Sequence, residues 1–249
     1  MQNKSKYLLY RILRNYINID ILKAICLIIS ILYISTLLII NYDTIRIDNF
    51  SMKLLFIHLS TAWIGVLALL LSGIYSILLL FNEKYKLKMY IYALKAELSC
   101  KIGLILVIFT TIIGIIWSSY AWNSMWNWDI RNISILVLII YYIIYIYINN
   151  SIKYFILRLQ ITSIYLVIGM FNTIYLIFLV PRIYESLHPN LFYNYKFNME
   201  LNLITLLLSF SISVFIICYY IYKYLLQVKI GKLIKSNDFS LNSQYQKFY

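Results

Sequence analysis

Charge is scarce in this sequence. Asp, Glu, Lys and Arg together make up 12% of 249 residues, and only nine are acidic. A soluble domain carries about twice that share, so the composition excludes a water-exposed surface over most of the chain. Glycine, alanine and proline are also few, with six glycines and two prolines, while Ile, Asn, Tyr, Lys and Leu abound. That balance follows A/T-rich codons and points to a strongly biased, organelle-like genome rather than to a structural demand. The three cysteines, Cys26, Cys100 and Cys218, stand singly in or beside apolar runs. Without a CxxC pair they provide no disulfide framework, no dithiol redox centre and no thioether anchor for a cofactor. No glycine-rich phosphate loop of the Walker type occurs, so any use of ATP would fall to a partner.

Apolar sequence is what remains. Hydrophobic residues make up 63% of the chain and aromatics 18%. Six runs reach spanning length: 21–40, 54–81, 98–117, 133–148, 159–180 and 201–225. About 20 such residues cross a bilayer as a helix, so the expected fold is all-α, one polytopic domain over 1–249 with six transmembrane helices. Pro181 is expected to terminate the fifth helix. The basic start leads into the first run without a small-residue cleavage site, which reads as an uncleaved first span.

The formal net charge of +13 does not call for nucleic acid, because the basic residues fall in short segments between the apolar runs. With six spans both termini share a side. Seventeen of the 22 Lys and Arg residues then lie on that side, from the N-terminus, 83–101, 153–158 and the basic tail 226–249 with the end of the last span. The other five, Arg46, Lys53, Arg131, Arg182 and Lys196, lie opposite. The positive-inside rule therefore puts the termini in a cytoplasm or matrix.

On the opposite, outer face lies the richest segment. Four of the five tryptophans, Trp117, Trp122, Trp126 and Trp128, fall within twelve residues and are followed by Asp129 and Arg131. Interfacial anchoring accounts for one or two of them. Four make a platform large enough for a flat aromatic ligand. If the segment is helical, Trp122, Trp126 and Asp129 share a face. Asp129 and Arg131 form either a local salt bridge or a grip on an anionic group. The only two histidines, His58 and His188, both fall on this outer face, 130 residues apart. Alone, each reads equally well as a hydrogen-bonded interfacial tip. As a pair beside an aromatic platform they suit axial ligation of a haem iron. Small residues Thr61, Ala62, Gly65, Ser72 and Gly73 recur along the second span, a seam that permits close helix approach.

The string Trp122-Asn-Ser-Met-Trp126-Asn-Trp128-Asp129-Ile-Arg131-Asn-Ile-Ser134 resembles the WWD signature of haem-handling membrane proteins. Its Asp-x-Arg-x-x-Ser ending is similar to that of the cytochrome c maturation protein C family. Phe56-Ile-His58-Leu-Ser60-Thr61-Ala62-Trp63 and Tyr184-Glu-Ser-Leu-His188 resemble that family's two histidine motifs. The resemblance covers nearly the whole chain. It departs at Asn123, where the family has glycine, at Met125 in place of a tryptophan and at Ser60 in place of a proline. It departs again at Ile183-Tyr184 in place of a Trp pair, and at Glu185 in place of Asn.

The resemblance implies a haem-handling protein rather than an enzyme. Haem b would be held without a covalent bond between His58 and His188, against a WWD loop at 117–132. Trp122, Trp126, Trp128, Asp129 and Arg131 would line it, and a membrane-anchored haem chaperone would receive it. ATP hydrolysis would belong to an ABC-type complex of ATPase and membrane subunits. The setting would be a mitochondrial or bacterial inner membrane, with the loop toward the intermembrane space or periplasm. Two other readings compete. A haem lyase of the WWD type would need a larger outer domain. A solute transporter would place ionisable or helix-broken segments at mid-membrane, whereas Pro181 and Pro189 lie outside the spans.

Overall fold

The computed structural model describes residues 21–39, 49–82, 86–184 and 201–235. Among them every regular element is helical: α1 (Ile21–Ile39), α2 (Asn49–Phe81), α3 (Lys86–Trp122), α4 (Ile130–Ser151) and α5 (Phe155–Ile174). A π-helical turn (Tyr175–Leu179) leads into α6 (Val180–Ile183), and α7 spans Leu201–Lys235. Five helices are long and apolar enough to cross a membrane, with α5, the π turn and α6 counting as one; α1 is a shorter apolar helix. The protein is an all-helical, polytopic membrane protein.

The helices overrun the expected spans. α3 contains 37 residues, about 55 Å at 1.5 Å per residue, against a hydrocarbon core of about 30 Å. It begins at Lys86 rather than Leu98 and continues through Trp117 to Trp122. α7 runs on to Lys235, through the first part of the tail expected from residue 226.

Pro181 does not stop the fifth span. The chain stays helical to Ile183 because the turn at Tyr175–Leu179 widens ahead of the proline. Proline lacks an N–H and its ring crowds the carbonyl four residues back. A π turn loosens that registry and lets the helix pass, and the N–H of Val180 accordingly bonds back five residues to Tyr175.

α2 and α3 form the central pair, and glycine makes their approach possible. A β-carbon on Gly65 would lie 3.1 Å from Val107 Cγ2, and one on Gly103 would lie 2.8 Å from Leu69 Cδ2 and 3.0 Å from the Gly65 carbonyl oxygen. The seam expected on the second span is thus real, and it serves two neighbours: Gly65 faces α3, while Gly73 sits against Met170 of α5. Leu69, Cys100, Leu104, Val107, Leu138, Tyr142 and Leu166 form the shared core of α2, α3, α4 and α5. Between α4 and α5, the buried Tyr142 hydroxyl lies 2.9 Å from Thr173 Oγ1. α7 packs on α2 through Ser60–Ser211 (2.9 Å) and Phe56–Phe210, and on α1 through Tyr33–Ser209. Large apolar side chains point outward, among them Ile105, Ile140 and Ile212, which only lipid can cover. Buried hydroxyls turn back onto carbonyls of their own helix, as Ser76 does to Ser72.

Candidate functional site

His58 sits in the third turn of α2 and packs against α3. Its Nδ1 lies 3.0 Å from the backbone carbonyl oxygen of Thr110. A carbonyl only accepts, so Nδ1 carries the proton, and in the neutral ring Nε2 is the lone-pair nitrogen. This is how a metal-binding imidazole is usually set, with one nitrogen donating to a carbonyl and the other left for the metal. The ring occupies a notch made by the missing side chain of Gly114. A β-carbon there would approach its Cε1 to 2.7 Å and its Nδ1 to 2.9 Å. The Thr110 hydroxyl also donates to the His58 carbonyl oxygen at 3.2 Å and meets the Thr61 hydroxyl. One turn of α2 and one of α3 are thereby locked together around the imidazole.

Gly114 lies three residues before Trp117, so the imidazole sits beneath the Trp segment. The geometry of that segment differs from the expectation. α3 ends at Trp122, residues 123–129 are not helical, and α4 starts at Ile130. Trp122, Trp126 and Asp129 therefore share no helix face. The break has a local cause. Asn123 adopts a left-handed φ of 52°, a conformation that ends helices and that only Gly, and secondarily Asn or Asp, takes cheaply. Asn123 thus performs the turn that glycine performs in the resembling family. The Ser118 hydroxyl then lies 2.9 Å and 3.0 Å from the carbonyl oxygens of Ser124 and Met125, folding the loop back on the helix end. Asn132 Nδ2 holds its far side by donating to the Asn127 carbonyl at 2.8 Å.

The tryptophans meet in two edge-to-face pairs instead of one stack. Trp117 and Trp122 have ring centres 5.1 Å apart, Trp126 and Trp128 5.8 Å, both near perpendicular, the favoured aromatic arrangement. Trp128 is 77% exposed and Met125 71%, so the ring lost at Met125 came from the loop's surface. Buried Asp129 precedes α4 at the N-cap position with extended backbone. It interacts electrostatically with Arg131 in the first turn, as expected of that pair.

Four elements converge here. Phe50 of α2 meets Tyr120 of α3 edge to face at 5.2 Å. Trp63 of α2 meets Phe178 of the π turn, and the π turn and α6 pack against α4. Of the expected site residues, His58, Trp122, Trp126, Trp128, Asp129 and Arg131 fall at this one end of the bundle. His188, Arg46 and Lys196 lie outside the described residues. Lys53 is half-buried in α2 and Arg182 is exposed at the end of α6. Sequence reasoning missed Thr110, Gly114 and Ser118. Their signal is a small or hydroxylated residue every fourth position in an otherwise Ile-rich run.

The sequence matches the profile of the family described as heme exporter protein C over residues 4–238. A ccmC-like mitochondrial protein of Marchantia polymorpha, described as putatively of cytochrome c biosynthesis, is 25% identical over 120 residues, 48% of each chain. The heme exporter protein C of Paracoccus denitrificans is 26% identical over 95 residues, 38% of this chain and 37% of that one. The protein of the same description from Rhodobacter capsulatus is 23% identical over 103 residues, 41% and 40%. The chain thus spans about half the length, or less, of each curated relative it matches. With the family profile covering nearly its whole length, this chain belongs to the heme exporter protein C family.

Proposed function

We propose that this protein holds haem at the Trp-loop end of its bundle and delivers it for cytochrome c biogenesis. The observation that carries the reading is the seat of His58: an Nδ1 proton committed to the Thr110 carbonyl and a ring lodged against Gly114. Such a seat orients Nε2 for an iron centre and lowers the entropy lost on ligation. His188 is the second ligand in this reading. The chain leaves α6 at Tyr184, four residues earlier, and four residues span at most about 14 Å, so His188 belongs to the same end. Trp122, Trp126 and Trp128 offer indole surface to the macrocycle, and Arg131 offers a cation to a propionate. Asp129 holds Arg131 in place.

The cargo is haem b, bound without a covalent bond. A loop with Trp128 and Met125 largely exposed leaves an open edge through which cargo passes to its acceptor, a membrane-anchored haem chaperone. This is transfer rather than bond-making chemistry. ATP is consumed by ABC-type ATPase and membrane subunits that work alongside. The setting is a mitochondrial or bacterial inner membrane, with the loop toward the intermembrane space or periplasm. The Marchantia relative's name mentions mitochondria, and the positive charge gathers at the opposite end.

Purified protein is expected to show the absorption of a six-coordinate b-type haem, extractable into acidified solvent. His58→Ala and His188→Ala each lower haem retention and change the spectrum. Unchanged retention in the double variant would defeat the assignment.

A further inference from the structure

At the end of the bundle opposite the Trp loop, α3, α4 and α5 enclose a cavity of about 200 Å³. Its wall is part apolar, from α3 and α5, and part polar, from Asn149 and Asn150 at the end of α4 and from Arg158 in the first turn of α5. Arg158 is the unusual member. Its Nε is fully buried and has no hydrogen-bond partner among the described residues, while the face of the guanidinium lies 5.5 Å from the Phe155 ring. A buried, unmatched donor on a cation is costly, and such groups are ordinarily satisfied by protein, water or a bound anion. α5 begins at this wall, and its N-cap Tyr154 makes no side-chain cap hydrogen bond. The first-turn amides therefore add positive potential beside Arg158.

One carboxylate also lines the cavity, that of Glu97. Its Oε1 already accepts from Lys101 Nζ at 2.6 Å and from Lys229 Nζ at 2.9 Å. Two ammonium groups on one carboxylate leave the surroundings positive even before Arg158 is counted. Next to the cavity, α5 turns Ile156 and Leu157 outward, 42% and 48% exposed, and Tyr154 is 79% exposed at the turn. A polar, cationic recess opening beside apolar, lipid-facing surface has the two-part character of a phospholipid site.

We propose that this cavity binds a phosphate oxyanion, with Arg158 as its main ligand and the amides of Asn149 and Asn150 as additional donors. The natural source is an anionic phospholipid whose acyl chains lie along Ile156 and Leu157; a soluble phosphate presents the same oxygens. The site is independent of the haem reading, because none of these residues touches the Trp-loop end.

The test uses the delipidated full chain, reconstituted in nanodiscs with phosphatidylglycerol or with phosphatidylcholine, and native mass spectrometry to count retained lipid. Phosphatidylglycerol is expected to be retained in preference to phosphatidylcholine. Arg158→Gln lowers that retention about tenfold, the scale of one charge-assisted hydrogen-bonded contact. Asn149→Ala with Asn150→Ala, which leaves the charge untouched, lowers it by a smaller factor and keeps the proposal testable should the arginine variant misfold. Haem retention is unchanged in both. Inorganic phosphate that displaces phosphatidylglycerol in an Arg158-dependent way supports the site and identifies the phosphate as the part recognised. Equal retention of both lipids, or a preference that survives both variants, overturns the proposal.

Discussion

A β-carbon placed on Gly114 would stand 2.7 Å from Cε1 of His58, well inside van der Waals contact. The contact is with a ring whose Nδ1 is already fixed on the Thr110 carbonyl, so the imidazole cannot tilt away without giving up that bond. Gly114→Ala is therefore expected to weaken haem retention about 10–100-fold, the usual scale for disturbing the support of a metal-binding histidine. The protein itself should lose only about 1–3 kcal/mol. Spectral titration with haem, set beside a thermal melt, separates the two effects. Wild-type affinity in the variant would mean that the ring does not need its notch.

Asn123 gives a prediction of opposite sign for two small residues. At a φ of 52°, alanine pays a steric cost of about 1 kcal/mol that glycine avoids. Asn123→Ala should lower the melting temperature, whereas Asn123→Gly should match or exceed the wild type. Equal melts for the two variants would contradict the left-handed turn.

Glu97 joins α3 to α7 through Lys229 while its other lysine, Lys101, lies on its own helix. All three side chains remain partly exposed, 21–37%, so solvent screens the attraction. A double-mutant cycle on Glu97→Gln and Lys229→Met should give a coupling of about 0.5–1 kcal/mol that shrinks as salt is raised. A coupling of several kcal/mol, indifferent to salt, would show the pair to be much less hydrated.

Tyr142 and Thr173 share a buried hydrogen bond of 2.9 Å, and Thr173 Oγ1 also lies 2.7 Å from the Gly169 carbonyl. Removing the phenol hydroxyl leaves the threonine satisfied by its own helix. Tyr142→Phe should thus cost only about 1 kcal/mol. Tyr142→Ala, which empties a fully buried ring volume, should cost about 3–5 kcal/mol. Comparable losses in both would assign the stability to the hydroxyl rather than to packing.

The spans were legible because an apolar run of spanning length has few alternatives in water or in lipid. Their ends were less legible. Residues 86–97 read as a basic connector because they carry five of the chain's ionisable groups. Glu97 is matched by Lys101 and Lys229, one of them 132 residues away, and that long-range pairing lets the helix start early. Proline at 181 was a sound stop signal under α-helical hydrogen bonding; the widened turn before it changes which bond the ring removes.

At the site, the residue types were readable and their arrangement was not. The motif named His58, three tryptophans, Asp129 and Arg131, but helical spacing of 122, 126 and 129 depended on a backbone that Asn123 breaks. Two departures from the family pattern acquire a physical meaning only in three dimensions. Ser60 replaces a proline, is fully buried and bonds Ser211 of α7, so it exchanges a backbone constraint for an interhelical contact. Met125 stands where the loop is most open. The Thr110 carbonyl could not have been named at all, since a main-chain acceptor leaves no mark on residue identity.

The wide turn at Tyr175–Leu179 is equivalent to one surplus residue in the helix, and each residue advances an α-helix by about 100°. The bearing of everything downstream, Arg182, Tyr184 and the peptide leading to His188, is therefore indexed by that single extra step. Deleting one residue between 175 and 179 would swing this exit about a quarter of a revolution around the helix axis. The alignment of the distal histidine with its counterpart on α2 is then a matter of counting residues as much as of side-chain chemistry.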